Sequence, residues 1–209
     1  MHHSDSAGSN SGSEAATSGA AYANRLRRLE GARWKRILDV QAPYRWNIRR
    51  LKLGYTLDVG CGIGRNLGHL DGNGVGVDHN ATSIEAARAA GFTAYTVEEF
   101  FASPLATPDT FDAMLAAHLV EHVQADQARE IVGSYLPFLR TGGRAVFITP
   151  QERGYASDAT HVRFAGFTEV AALCAELGLK VQKQYSFPFP RFAGKIFTYN
   201  EFISVAGKR

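Results

Sequence analysis

The chain has 209 residues, 45% of them hydrophobic and 11% aromatic, which is enough for one domain with a sizeable core. No stretch approaches the ~18 successive apolar residues of a membrane-spanning helix, and no basic start leads into an apolar run. A membrane span and a secretory leader are therefore not expected, and a cytoplasmic protein is. The net charge of +3 argues against extensive phosphate contact, but it is uneven: residues 24–52 hold ten Lys and Arg against Glu30 and Asp39, and residues 53–209 hold thirteen against sixteen acids.

In chain order, residues 1–23 are rich in Ser, Gly, Ala, Asn and Thr, with Asp5 and Glu14 as their charges. Such a stretch buries too little to fold, so a disordered tail is expected there. Residues 24–53 follow as a helical cap: Leu26, Leu29, Ile37, Leu38, Ile48 and Leu51 recur at helical spacing, and Pro43 interrupts them, predicting two helices that meet at the proline. From residue 54 to 209 short β-rich runs alternate with helical ones. Tyr55 to Val59, Gly74 to Val77, Thr93 to Val97, Asp112 to Ala116 and Arg144 to Ile148 read as strands, with helices near 65–70, 82–90 and 125–139. That alternation predicts an α/β domain with a parallel sheet covered on both faces. Thr168 is placed to cap a helix ending near Leu177, and Val181 to Tyr185 and Phe197 to Val205 read as a closing antiparallel pair. Cys61 falls in a glycine motif and Cys174 in an amphipathic helix, so no disulfide is expected.

The first strand runs into Gly60, Gly62 and Gly64. Without side chains, such a loop lets backbone amides approach a nucleotide cofactor. A dinucleotide loop would carry its third glycine one position later, where this chain has Arg65. Asp78 closes the second strand in GVGVDHN, where a carboxylate can accept both hydroxyls of a ribose.

Asp58, the three glycines, Asp78, FDAMLAAHLVEHV and LRTGGRAVFITP stand in the order and approximate spacing of the class I, Rossmann-like S-adenosylmethionine-dependent methyltransferases, and the chain resembles them over roughly residues 50–207. The resemblance implies a doubly wound, seven-stranded, mostly parallel sheet with its last strand antiparallel. It also implies an S-adenosylmethionine site drawn from Asp58, Gly60, Gly62, Gly64, Asp78, His79, Glu98 and Ala117. Phe100 is an alternative to Glu98 beside the adenine.

Methyl transfer from a sulfonium needs an aligned acceptor and a place for its proton. His118, Glu121 and His122 follow the fourth strand and His161 follows the fifth, both at the sheet edge where α/β folds carry chemistry. On a helix His118, Glu121 and His122 would share part of one face. Two readings stand. His118 or His161 takes the proton directly, or all four residues hold a divalent cation. The second rests on similarity to small-RNA 2'-O-methyltransferases and ubiquinone-pathway O-methyltransferases, whose helix has Glu-x-x-Glu-His. His118 replaces the first Glu, which leaves Mg, Mn and Zn all open. The expected reaction is O-methylation of a small hydroxylated acceptor, a sugar or polyol; N- or C-methylation of another metabolite, or an RNA-directed role, is the alternative. The basic segment 22–52, with Trp34, Tyr44, Trp46, Arg45, Arg49 and Arg50, is either an acceptor or nucleic-acid surface or a solvated helix face. Phe187, Phe189 and Phe192 are expected in a lid or a packed edge, and residues 151–161 in a functional polar loop.

Overall fold

A computed structural model describes residues 39–209. The expected tail at 1–23 and residues 24–38 of the expected cap lie outside these. Helix α1 (Ala42–Arg50) begins beside Pro43, whose fixed φ suits a first helical turn. Seven strands follow: β1 (Thr56–Val59), β2 (Gly74–Asp78), β3 (Ala94–Thr96), β4 (Phe111–Ala117), β5 (Leu139–Pro150), β6 (Lys180–Phe187) and β7 (Glu201–Gly207). Between them lie α2 (Arg65–His69), α3 (Ala81–Ala89), α4 (Val97–Phe101), α5 (Ala125–Tyr135), α6 (Glu152–Tyr155) and α7 (Phe167–Glu176).

The sheet order is β3-β2-β1-β4-β5-β7-β6. The first five strands pair in parallel, and β7 runs antiparallel to both β5 and β6. Period-two alternation in the central strands explains the two covered faces. Met114 and Ala116 of β4 join Phe147 and Ala145 of β5 in one core, with Phe100, Phe111, Val132 and Leu173. Ala113, Leu115 and Ala117 face the other way, with Val146, Ile148, Ile203 and Ile48 of α1. A strand buried on both sides reads as a continuous apolar run, as LAA and AVFI do here.

Three expected boundaries are corrected. The helix after β6's predecessor loop starts from Gly166, not Thr168: the Gly166 N–H donates to Glu169 Oε2 at 3.0 Å, so Thr168 stands inside the first turn. The last strand begins at Glu201 rather than Phe197, because Asn200 spends its side chain closing the preceding loop onto Gln151, Ser186 and Phe189. The expected helix through His118 is a single 3-10 turn, Val120–His122, and His118 itself has φ +55°.

Candidate active site

The sheet order reverses at β1, whose neighbours are β2 and β4. The crevice beyond the strand ends at such a switch point is where α/β folds receive ligands. The glycine loop leaves β1 there. Its shape is held by β2: the Gly60 and Cys61 N–H groups donate to the Val77 carbonyl at 2.8 and 3.1 Å, and Gly62 N–H donates to Asp78 Oδ2 at 2.8 Å. Gly62 has φ +53° and open space where a side chain would stand, so its backbone is approachable from the crevice. Gly64 has φ +84°, and a Cβ on it would come within 2.7 Å of the Phe92 ring.

Asp78 therefore braces the loop with one oxygen and accepts from Asn80 N–H with the other, at 2.9 Å. Asp58 is fully buried behind the loop, and that burial raises its carboxyl pKa to about 7. His79 is solvent-exposed beside Asp78, and Ala117 is buried at the end of β4. Glu98 lies exposed in the first turn of α4, just past β3, and Phe100 is buried in the core instead. Leu119 faces the loop from the β4 side, the nearest side chain to the Cβ position of Gly60. The residues named for the cofactor thus line three successive strand ends, with Ala117 on a fourth.

The four residues named after β4 and β5 separate into one and three. Glu121, His122 and His161 each offer a ligand-type atom within 4.8 Å of the others, the one such group of three among the described residues. His161 Nδ1 lies 2.8 Å from the Tyr155 carbonyl, an acceptor only. Nδ1 therefore carries a proton, and Nε2 lies 4.0 Å from Asp158 Oδ2. His122 is arranged alike: its Nδ1 faces the Thr160 carbonyl at 3.3 Å and Thr160 Oγ1 at 3.2 Å, and that hydroxyl donates onward to Asp158. The two rings are 4.8 Å apart, and Tyr155 stacks on His161 at 5.3 Å. Glu121 is fully buried, with Oε2 lacking any hydrogen-bond partner. Its backbone carbonyl accepts from the Val162 and Arg163 N–H groups, which ties the His161 loop to it.

His118 lies outside that trio but bridges Glu121 to Glu201. Its Nδ1 meets Glu121 Oε1 at 3.1 Å and its Nε2 meets Glu201 Oε1 at 3.0 Å. Packing around the ring disfavours its charge although the side chain stays 44% exposed, and the hydrogen bonds and charges of the two carboxylates outweigh that and raise the pKa to about 10. His118 is an imidazolium at neutral pH, with both nitrogens occupied. Glu201 was not singled out from the sequence. It reaches His118 only because β7 pairs Glu201 with Pro150 of β5, and the Ile148 carbonyl of β5 accepts the His118 N–H; no local motif announces that.

The described arginines of α1 are engaged. Arg49 pairs with Asp71, and Arg50 lies over the Trp46 and Tyr185 rings at 4.6 and 4.9 Å. The 188–200 segment is anchored by Asn200, whose side-chain amide donates to Gln151 Oε1 at 3.0 Å and Ser186 Oγ at 2.9 Å and whose Oδ1 accepts from Phe189 N–H at 2.9 Å. Phe187 is buried, whereas Phe189 and Phe192 stay exposed.

Residues 57–147 match the family described as methyltransferase domain. Among curated proteins none matches the sequence. Solved structures match in fold. A methyltransferase from Thermotoga maritima, titled a possible histamine N-methyltransferase, is 17% identical over 86% of this chain and 95% of its own, with a TM-score of 0.64. One from Archaeoglobus fulgidus is 17% identical over 79% and 93%, at 0.62. The magnesium protoporphyrin IX methyltransferase of Synechocystis, solved with bound S-adenosylhomocysteine, is 13% identical over 87% and 95%, at 0.57.

Proposed function

We propose that the chain is a class I, Rossmann-like S-adenosylmethionine-dependent methyltransferase, as its methyltransferase-domain match and its fold support, and that it methylates a hydroxyl oxygen of a small acceptor, a sugar or polyol. The observation that carries this reading is the trio Glu121, His122 and His161, whose ligand-type atoms lie within 4.8 Å of one another, with both histidine Nδ1 atoms engaged by backbone carbonyls and Glu121 Oε2 lacking a hydrogen-bond partner. An amine acceptor needs little help with its proton; an alcohol does. In this scheme the acceptor oxygen attacks the sulfonium methyl, the C–S bond breaks, and the hydroxyl proton passes to His161 Nε2. S-adenosylhomocysteine leaves. Tyr155 fixes the tautomer and tilt of His161, and His118, clamped by Glu201, fixes the Oε1 side of Glu121.

The same three residues fit a divalent cation. A buried carboxylate oxygen without a partner is costly, and metal-ligating histidines commonly donate their second N–H to a carbonyl, as both do here. When bound there, such a cation would lower the pKa of an acceptor hydroxyl. Ligand atoms around an ion of ~2.1 Å bond length lie no more than about 4.2 Å apart, so a separation of 4.8 Å requires the trio to draw inward. His118 stands outside this set. Both free cysteines are buried, which suits a reducing cytoplasm.

The test is turnover with labelled S-adenosylmethionine and a panel of polyols, sugars and amines, with chelator and with added Mg, Mn or Zn. O-methyl products are expected, with a loss of about a hundredfold or more in turnover for His161→Ala at unchanged S-adenosylhomocysteine affinity. Methylation of nitrogen alone, or near-normal turnover in that variant, overturns the reading. Loss of activity on chelation, restored by one metal, selects the cation-assisted form.

A further inference from the structure

Nine bulky apolar residues stand exposed among the described residues, and five of them, Trp46, Phe189, Phe192, Ile196 and Tyr199, belong to α1 and the β6–β7 connection, each 50–78% accessible. Ring and hydrogen-bond contacts join three of them, Trp46, Tyr199 and Phe189, and Phe192 lies in, and Ile196 caps, the 3-10 turn between Phe189 and Tyr199. Trp46 stacks on Phe187 at 6.2 Å, and Tyr44 meets the edge of Phe187 at 5.8 Å. The Tyr44 hydroxyl donates to the Tyr199 carbonyl at 2.6 Å. Phe197 then links Tyr199 to Phe189, with ring centroids 5.8 and 5.2 Å away. Single exposed apolar residues are ordinary on a surface, but a contiguous patch marks a partner.

Cations are interleaved with the rings. Arg50 covers Trp46, and Pro190, Arg191, Phe192 and Lys195 line an open groove of about 640 Å³. Glu152 pairs with Arg191 through both carboxylate oxygens, so the positive excess along the groove is Lys195. The exposure is built in: Asn200 and Gln151, both fully buried, lock the connection to the end of β5 and prevent it from folding its rings inward. A Cβ on Gly194 would fall 1.8 Å from Gln151 Oε1, so the 3-10 turn that presents Phe192 lies directly on that lock.

We propose that this face docks the enzyme on an anionic phospholipid surface, with Phe192 and Ile196 entering the headgroup region and Arg191 and Lys195 meeting lipid phosphates. Amphipathic rings with one apolar and one wet end, mixed with Arg and Lys, are the composition of interfacial segments. A second copy suits the surface less well, since a two-fold interface would bring the Arg191 and Lys195 groove against its own image. The face adjoins Glu201, and so opens beside His118 at the reacting edge. The proposal does not depend on which atom receives the methyl group.

The experiment is co-sedimentation of the full chain with phosphatidylcholine vesicles, with and without one-third phosphatidylglycerol. Binding to the mixed vesicles at low salt is expected, about tenfold weaker or more on neutral vesicles or at ~0.5 M salt. Phe192→Ser with Ile196→Ser is expected to weaken binding about tenfold or more, with S-adenosylhomocysteine affinity unchanged as evidence of folding. No binding to the mixed vesicles, or equal binding by the variant, overturns the proposal. So does a concentration-dependent dimer that the variant abolishes, which would assign the face to a second copy.

Discussion

Asp58 and His118 hold protons in opposite surroundings, and pH separates their contributions to stability. The unfolded Asp58 carboxyl titrates near 3.8 and the folded one near 7 because it is buried. Between those values the folded chain binds more protons than the unfolded one, so this residue's contribution falls as pH rises from about 4 to 7. Asp58→Asn is expected to remove that fall, read as a flatter difference in urea midpoint across the window. His118, raised to about 10 from 6.5, contributes fully below 6.5 and loses its contribution as pH climbs through 10. Glu201→Gln removes one of the two carboxylates holding the ring, and the alkaline loss of melting temperature is expected to shrink. The residue types at both positions were legible in the sequence. Their protonation was not, because each depends on side chains from other strands.

The β6–β7 connection is the element where local pattern and outcome part. FTYNEFISVAG alternates well enough to read as strand from Phe197, yet pairing starts at Glu201. Asn200 explains the difference. Its amide is consumed by Gln151, Ser186 and the Phe189 backbone, so residues before it close a loop instead of continuing the ladder. Asn200→Ala leaves Gln151 Oε1 and the Phe189 N–H short of a partner inside the protein, which is expected to cost about 1–3 kcal/mol in denaturant unfolding. The glycine loop shows the reverse case. Gly60, Gly62, Gly64 and Asp78 were readable from spacing alone, because the turn geometry requires those residue types wherever the sheet places them.

At the scale of the whole molecule, one sheet separates two apolar layers, and Phe147 of β5 lies in the larger of them beside residues from α4, α5 and α7. Phe147→Ala is expected to cost about 3–5 kcal/mol and to lower the melting temperature, because the layer is built from β1, β2, β4, β5, β7 and three helices and cannot collapse around the void. No helix among the described residues is long and apolar enough to cross a membrane. The sequence by itself determined the α/β class, the strand order of chemistry along the chain, and the glycine–aspartate cradle, since hydrophobic period and turn chemistry are local properties. The tertiary structure alone decided that Glu121, His122 and His161 meet, and that His118 bridges Glu121 to Glu201. Convergence of side chains from the ends of β4, β5 and β7 is a matter of sheet order and register, which no spacing within the chain records.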